Sequence, residues 1–399
     1  MKIRERIDEI FEEIVEIRRE LHANPELSQQ EINTAQIISR FLTKHGINHE
    51  MGIAGHGVVA VIKGKEKATE GQKFLTIGIR ADMDALPIYE KAEVPFKSKT
   101  NGVMHACGHD IHIAILLGTA KILKELEEIL SGNIKLFFEP AEETIGGAKQ
   151  MIEAGCLMNP TVDAVIGLHI TPEVESGMVQ FRRGKMNAAS TEFEITVEGV
   201  ACHGAHPEHG VDTIVAASNL VCMLQTIVTR NLSPTNPGVI TVGQIHGGNK
   251  NNVIAKETVI SGIIRALDNG TRSFIKNRVK EMTENVAIGL GAKVKVQFTD
   301  SYPALVNDDE LEDILETVAE NILSKESVCF SQEPSLGADD FSYFSEAVKA
   351  VYFNIGCLNK EEIIPQALHS EYLNPYEECI RTGMLMEVFS VLELLQQTK

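Results

Sequence analysis

The sequence is short of positive charge. Its 37 Lys and Arg face 56 Asp and Glu, a formal net charge of −19 over 399 residues. Nucleic acid, which is held by clustered cations, is therefore not an expected partner. Long apolar runs are missing too: none approaches the roughly 20 residues of a membrane-spanning helix. Residues 1–14 are charged throughout and lack the apolar centre of a secretory leader. The cysteines (Cys107, Cys156, Cys202, Cys222, Cys329, Cys357 and Cys379) are odd in number and scattered, with no C-x-x-C. That argues against a disulfide framework and for a cytoplasmic location. Neither a Walker A run nor a G-x-S-x-G elbow occurs, and there is no internal repeat or low-complexity tract. The stretch from Gly52 to Gly57 resembles a phosphate loop only superficially, because a strand rather than a helix follows it. What remains is the composition of a globular protein, 43% hydrophobic and 23% charged. At about 150 residues per domain the length suits two or three domains.

Ile3, Ile7, Ile10, Ile14, Ile17 and Leu21 recur at helical spacing, and Asn24-Pro25 ends that helix. A second helix is expected over 29–44. Strands are expected over 58–62, 74–79, 134–138 and 164–168, with a helix over 111–130 between the second and third. Strands alternating with helices predict an α/β fold whose largely parallel mixed sheet is flanked by helices. From about residue 182 the pattern changes. Phe193, Ile195 and Val197 alternate as in a half-exposed strand. Helices over 212–229 and 272–290 and strands over 239–245, 258–266 and 293–298 complete a β-α-β-β-α-β order, the ferredoxin-like α+β unit. Then α/β character returns, with a helix over 310–323, a strand over 351–355 and a last helix from about 377. The expectation is a discontinuous domain of residues 1–183 and 299–399, interrupted by an inserted domain over 184–298.

Three expected strand ends carry reactive side chains. The strand over 74–79 leads into Arg80, Asp82 and Asp84, that over 134–138 into Glu139, Glu142 and Glu143, and that over 164–168 into His169. Sites in parallel sheets form beyond such ends. His105, Cys107, His109, Asp110 and His112 crowd eight residues, with Gly108 free to turn the chain between two donors. Thiolate and imidazole are ligands for zinc and similar transition ions. Not all of these side chains can bind one ion, and His112, on the following helix, has packing as its alternative role. Adjacent glutamates diverge, so one can bind a metal while its neighbour holds a water, a division suited to metal-assisted hydrolysis. His369 could close the same site. Two other readings compete. Cys107 and His109 as a thiol nucleophile and its base are too close in sequence for the usual arrangement and leave the glutamates without a task. His203, His206 and His209 could form a second metal cluster, although Pro207 favours a hinge-like loop.

In order, Arg18-Arg19-Glu20-Leu21-His22, Asn24-Pro25-Glu26-Leu27, the run from Arg80 to Pro87, His105 to Asp110, Glu139 to Glu143, Gly167-Leu168-His169 and Leu368-His369-Ser370 resemble the metal-dependent amidohydrolases related to aminoacylase and carboxypeptidase. The branch it resembles holds hippurate hydrolase, N-acyl-amino-acid amidohydrolase, auxin-conjugate hydrolase and N-acetyldiaminopimelate deacetylase. The resemblance implies two divalent transition ions (Zn, Mn, Ni or Co). Cys107 would bridge them, His109 and His169 would complete one, and Glu143 and His369 the other. It implies Glu142 as general base and Asp84 as the carboxylate that orients a ligand imidazole. Asp82 stands where relatives carry a ligand histidine, a role that His109 takes over. The inserted domain resembles a lid and dimerisation domain, implying a homodimer. Its His203 would stabilise the oxyanion, often from the partner subunit, while Asn252 and Arg265 would hold the substrate carboxylate. Glu208, Ala255 and Asp339-Asp340-Phe341 depart from the family pattern and bear on substrate preference. The implied activity is hydrolysis of the amide bond of N-acyl-L-amino acids. The alternatives are N-acetyldiaminopimelate deacetylation, a di- or carboxypeptidase, or a binding protein that lost the chemistry.

Overall fold

The computed structural model describes residues 2–66, 74–359 and 366–396. The chain divides into two units, 1–184 with 306–333 and 340–399, and 185–305 with 334–339.

The first unit opens with two amphipathic helices, α1 (Ile3–Ala23) and α2 (Ile32–Lys44). Their apolar residues bury one face each, Ile7, Ile10, Ile14 and Leu21 in α1 and Ile37, Ile38, Phe41 and Leu42 in α2. Next come β1 (Asn48–Ile53), β2 (Gly57–Lys63), β3 (Thr76–Asp82), α3 (His109–Glu125), β4 (Asn133–Glu139), α4 (Gly147–Glu153), β5 (Ala164–Glu175) and β6 (Val179–Phe181). The second unit holds β7 (Lys185–Asn187), β8 (Ala189–Glu198), α5 (Thr213–Asn231), β9 (Gly238–Gly247), β10 (Glu257–Ala266), α6 (Asn269–Gly289) and β11 (Lys293–Asp300). The short β12 (Leu305–Val306) straddles the return to the first unit, which continues with α7 (Asp309–Ile322), β13 (Val328–Phe330), α8 (Ser342–Ala347), β14 (Lys349–Leu358) and α9 (Cys379–Gln396).

The first unit's sheet has the order β1-β2-β4-β3-β5-β14-β6-β13. Its centre, β4-β3-β5-β14, is parallel, and β2 and β1 add antiparallel beyond β4. This is the expected mixed, largely parallel α/β sheet. β3 is buried along its whole length, as a strand covered on both faces must be. Parallel strands point their carboxyl ends to one edge, so β3, β4 and β5 release their next residues on the same side. β1 has no counterpart in the sequence pattern: Asn48-His49-Glu50 is an exposed edge with no apolar alternation. β5 also runs past its apolar stretch to Glu175, because β14 pairs with it there.

In the second unit β8, β9, β10 and β11 form an antiparallel sheet of order β11-β8-β10-β9, the expected β-α-β-β-α-β arrangement. Phe193, Ile195 and Val197 of β8 share a core with Leu220 and Leu224 of α5 and Ile275 and Val279 of α6. Among the described residues α5 is the one helix long and apolar enough to cross a membrane. Its Ala217, Leu220, Leu224 and Ile227 are committed to this core.

Helices α3 and α9 meet closely: a Cβ on Gly383 would fall 2.4 Å from Ile115 Cδ1. One turn on, Glu387 is fully buried, and its Oε2 has no hydrogen-bond partner. Burial pushes its carboxyl from the ordinary 4.5 up to about 8, and the Thr119 hydroxyl offsets only part of that. Between those two values the folded chain keeps a proton that the unfolded chain releases, so stability falls as pH rises. Glu387→Gln should therefore have little effect near the lower value and stabilise increasingly toward the upper one, by about 1.4 kcal/mol per pH unit crossed. Denaturant unfolding across that range checks this. A variant that keeps the wild-type slope refutes it.

Candidate metal centre

The ends of β3 and β4, the start of α3 and the middle of β5 converge in the first unit; β5 runs on to Glu175, so His169 sits within the strand and not beyond its end as expected. Gly108 caps α3 in a left-handed conformation, φ 85°. A Cβ there would also fall 2.2 Å from Ile170 Cδ1, so only glycine fits without local repacking. This turn sets Cys107 and His109 side by side. Cys107 Sγ lies 3.4 Å from His169 Nε2 and 3.3 Å from His369 Nε2. His369 Nε2 lies 3.3 Å and His109 Nε2 3.8 Å from Glu143 Oε1. The loop carrying His369 is tied to the same turn by its backbone N–H, which donates to the Ala106 carbonyl.

Two donor triads result, Cys107–His109–His169 and Cys107–Glu143–His369, and they share the sulfur. Donors bonded at 2.0–2.3 Å around a tetrahedral ion stand about 3.4 Å apart, so these spacings fit divalent transition ions. His109 Nε2 and Glu143 Oε1 are buried without a close hydrogen-bond partner, as atoms facing a cation would be, while His109 Nδ1 is turned to Asp84. The donor set is sulfur, imidazole and carboxylate, which suits zinc and its neighbours better than calcium or magnesium. Glu142 is 7% exposed and lies with His109 and Glu143 in a third group of converging donors.

The turn presenting Glu142 and Glu143 is gripped by carboxylates. The backbone N–H of Ala141 donates to Glu31 Oε1, that of Glu142 to Asp84 Oδ1, and that of Glu143 to Asp84 Oδ2. Ala141 is itself in the left-handed region, φ 60°, a strained position for a residue with a Cβ. Asp84 further accepts from Ser28 Oγ and lies 3.3 Å from His109 Nδ1. Glu31 and Ser28 were not among the residues that the sequence pointed to. Nothing in their local pattern marks them, since their partners lie far along the chain.

Behind the turn sits Arg80, fully buried. Its Nε donates to Glu139, its Nη1 to Asp82 and its Nη2 to Asp340. Arg80, expected just beyond the strand over 74–79, lies inside β3, where burial forces its charge to be met by these carboxylates. Asp110, beside His109, is held by Arg18 and His22 of α1, each 2.8 Å away, and His22 also reaches Glu90.

The electrostatics stem from this crowding. Burial, Glu143, Glu142 and Asp82 all push the Cys107 thiol well above its ordinary range. That is the opposite of what a thiolate nucleophile needs, whereas a bound cation would reverse the sign. Burial draws His109 down, but Asp82, Asp84 and Glu143 outweigh it and carry the group up to about 10. His169 goes the other way: burial lowers it to about 4, leaving a neutral ring with a lone pair.

The remaining predicted residues lie in the second unit. His203 is exposed, and its Nδ1 accepts from the Ala205 N–H. Its loop is zipped to that of Asn252, because the Gly204 N–H donates to the Asn252 carbonyl. Arg265 stands near the far end of β10, bonded to Ser190 and half buried. Eight strand steps separate it from Glu257, about 27 Å. Within this unit, Arg265 is therefore not brought together with His203 and Asn252. His203, His206 and His209 form a chain of rings 5.8 and 5.9 Å apart, all on the surface, and they form no converging donor group.

Comparison with known proteins gives consistent matches. The model of peptidase family M20/M25/M40 matches residues 78–389. Thermostable carboxypeptidase 2 of Saccharolobus solfataricus is 38% identical over 387 residues, 96% of this chain and 96% of that one. N-acetyl-L-cysteine deacetylase of Bacillus subtilis is 40% identical over 344 residues, 86% of this chain and 80% of that one. A solved Bacillus subtilis structure, described as a dinuclear metal binding peptidase from the M20 family, superposes with a TM-score of 0.84 at 29% identity. It covers 98% of this chain and 100% of that one.

Arg80 offers a test of how the site's charge is held. Arg80→Met keeps the bulk and strands three buried carboxylates. The expected cost is about 3–5 kcal/mol near neutral pH. Against the cost of burial, His109, Arg80 and His112 hold Asp82 well below the ordinary carboxylate range. Without the guanidinium that hold weakens, and protonation relieves the variant in acid. Denaturant unfolding at neutral and acidic pH should show the larger cost at neutral pH. An equal cost at both would contradict it.

Proposed function

The chain belongs to peptidase family M20/M25/M40, a family of metal-dependent amidohydrolases and peptidases, and on that footing we propose that it hydrolyses the amide bond of N-acyl-L-amino acids. The observation that carries this reading is the shared sulfur. Cys107 sits within 3.4 Å of two imidazoles from different segments, with Glu142 beside the second triad. One ion would be held by Cys107, His109 and His169, and another by Cys107, Glu143 and His369. Bound there, zinc, manganese, nickel or cobalt would acidify a water and polarise the acyl carbonyl.

The protein's own share of the work falls mainly to Glu142. Its carboxylate takes the proton of the attacking water and hands it to the leaving amine, so the acyl group departs as a carboxylic acid and the amino acid as a free amine. The Asp84 carboxylate accepts from the Glu142 and Glu143 N–H groups and so fixes the turn that carries both. His203 donates to the developing oxyanion, and Asn252 and Arg265 hold the substrate carboxylate. Arg265 and the His203–Asn252 pair occupy opposite ends of β10, which favours contributions from two copies of the chain and hence a homodimer. The carboxypeptidase relative favours a second reading on the same site, a di- or carboxypeptidase, with N-acetyldiaminopimelate deacetylation as the biosynthetic variant.

Two measurements check the assignment. Glu142→Gln should lower kcat by about 10²–10⁴-fold while the protein keeps its metal content. Undiminished turnover in the metal-loaded variant removes Glu142 from this role. A panel of acetyl- and benzoyl-amino acids, N-acetyldiaminopimelate and dipeptides, read before and after chelation and metal return, should show the acyl-amino acids leading. Dipeptides leading would select the second reading.

A further inference from the structure

His112 is fully buried in the first turns of α3, and both its ring nitrogens are engaged. Nε2 lies 3.0 Å from the backbone nitrogen of Ile170. A peptide N–H can only donate, so Nε2 accepts and carries no proton. The ring proton is therefore on Nδ1, which donates to Asp82 Oδ1 at 2.6 Å. Asp82 is in turn fixed through its other oxygen by Arg80. Asp82, His109 and His112 lie close enough to form a converging donor group. However, with one nitrogen bonded to a peptide and the other to a carboxylate, His112 has no lone pair to give an ion.

Ile170 is next to His169 in the chain, and its carbonyl has a task of its own. It accepts from His169 Nδ1 at 2.7 Å. A carbonyl can only accept, so the His169 proton is on Nδ1 and Nε2 is left with its lone pair, 3.4 Å from Cys107 Sγ. The two polar groups of Ile170 thus serve two histidines. The N–H is pinned by His112, and the C=O orients His169. The His112 and His169 rings also meet edge to face, centroids 4.6 Å apart.

We propose that His112, anchored on Asp82, is a positioning residue that holds the Ile170 backbone and through it aims Nε2 of His169 at the metal centre. The inference rests on the metal-centre reading above and gives a role to Asp82, which stands where relatives carry a ligand histidine. Second-sphere partners of this kind fix the tautomer and direction of a ligand imidazole, and their loss costs about 10–100-fold in metal affinity.

The test uses Asn and Gln as partial imidazole mimics. His112→Asn keeps a donor for Asp82 but is too short to reach the Ile170 N–H. His112→Gln places an oxygen near the Nε2 position. In the full-length protein, chelator competition with zinc, read by elemental analysis, should show His112→Asn losing about 10–100-fold affinity for one ion only. His112→Gln should stay closer to wild type. Cobalt-loaded protein should keep its sulfur-to-metal charge-transfer band while the ligand-field bands change. A folded His112→Asn that binds both ions with wild-type affinity overturns the proposal. So does equal weakening of both ions in the two variants, which would mark a purely structural role. Long-range ¹H–¹⁵N spectra of histidine-labelled wild type need no variant to fold, and an Nε2–H tautomer for His112 would also overturn it. Wild-type protein that binds no metal would instead strike at the metal-centre reading.

Discussion

Negative charge crowds one buried edge of the sheet, and the arrangement depends on how that charge is met. Asp82, Glu139 and Asp340 are each bonded to a different nitrogen of Arg80. Asp84 and Glu31 are met by a serine hydroxyl and by successive backbone N–H groups of one turn. Charges withdrawn from water must find such partners or lose their charge. After these pairings, Glu143 Oε1 and His109 Nε2 are left without a close hydrogen-bond partner, next to a sulfur whose thiol is pushed up by burial and then by its acidic neighbours. The residues that take up these bonds determine which donor atoms are left to converge.

Topology supplies the convergence. Four parallel strands run one way; β3 and β4 end just before Asp84 and Glu143, and β5 carries His169 within its length, just past its pairing with β3. The fourth contributor, the Cys107–His109 turn, enters from the start of α3, where Gly108 lets the backbone approach Ile170. Because the helix and strands are rigid and the site lies at their ends, the donors are held by core packing and not by loop closure. Only His369 comes from an exposed loop, and it is moored by its own backbone to Ala106.

The second unit is built differently. Its antiparallel sheet carries two helices on one face, and residues of functional interest sit on its loops and strand ends. The close bond between the 202–204 and 252–254 backbones makes His203 and Asn252 a single feature, although nearly fifty residues separate them. Arg265 is tied to Ser190 instead.

Much of this was legible in the chain alone, and the boundary has a physical meaning. Hydrophobic period and strand-end placement are local properties. The α/β class, the β-α-β-β-α-β insertion and the clusters at Asp82–Asp84, Cys107–His109, Glu142–Glu143 and His169 could therefore be read along the chain. The edge strand β1 could not, because an exposed edge needs no apolar alternation. Nor could Glu31, whose partner Ala141 lies 110 residues away, or the two hydrogen bonds that His112 makes to Asp82 and Ile170. Amino-acid order by itself determined which side chains could ligate, titrate or bury, and roughly where strands would release them. Which nitrogen faces which peptide, and which carboxylate takes the guanidinium, was decided only when β3, β4, β5 and α3 came together. Hydrogen-bond direction depends on distances between segments far apart in the chain, 262 residues for Cys107 and His369, and no local pattern encodes those distances.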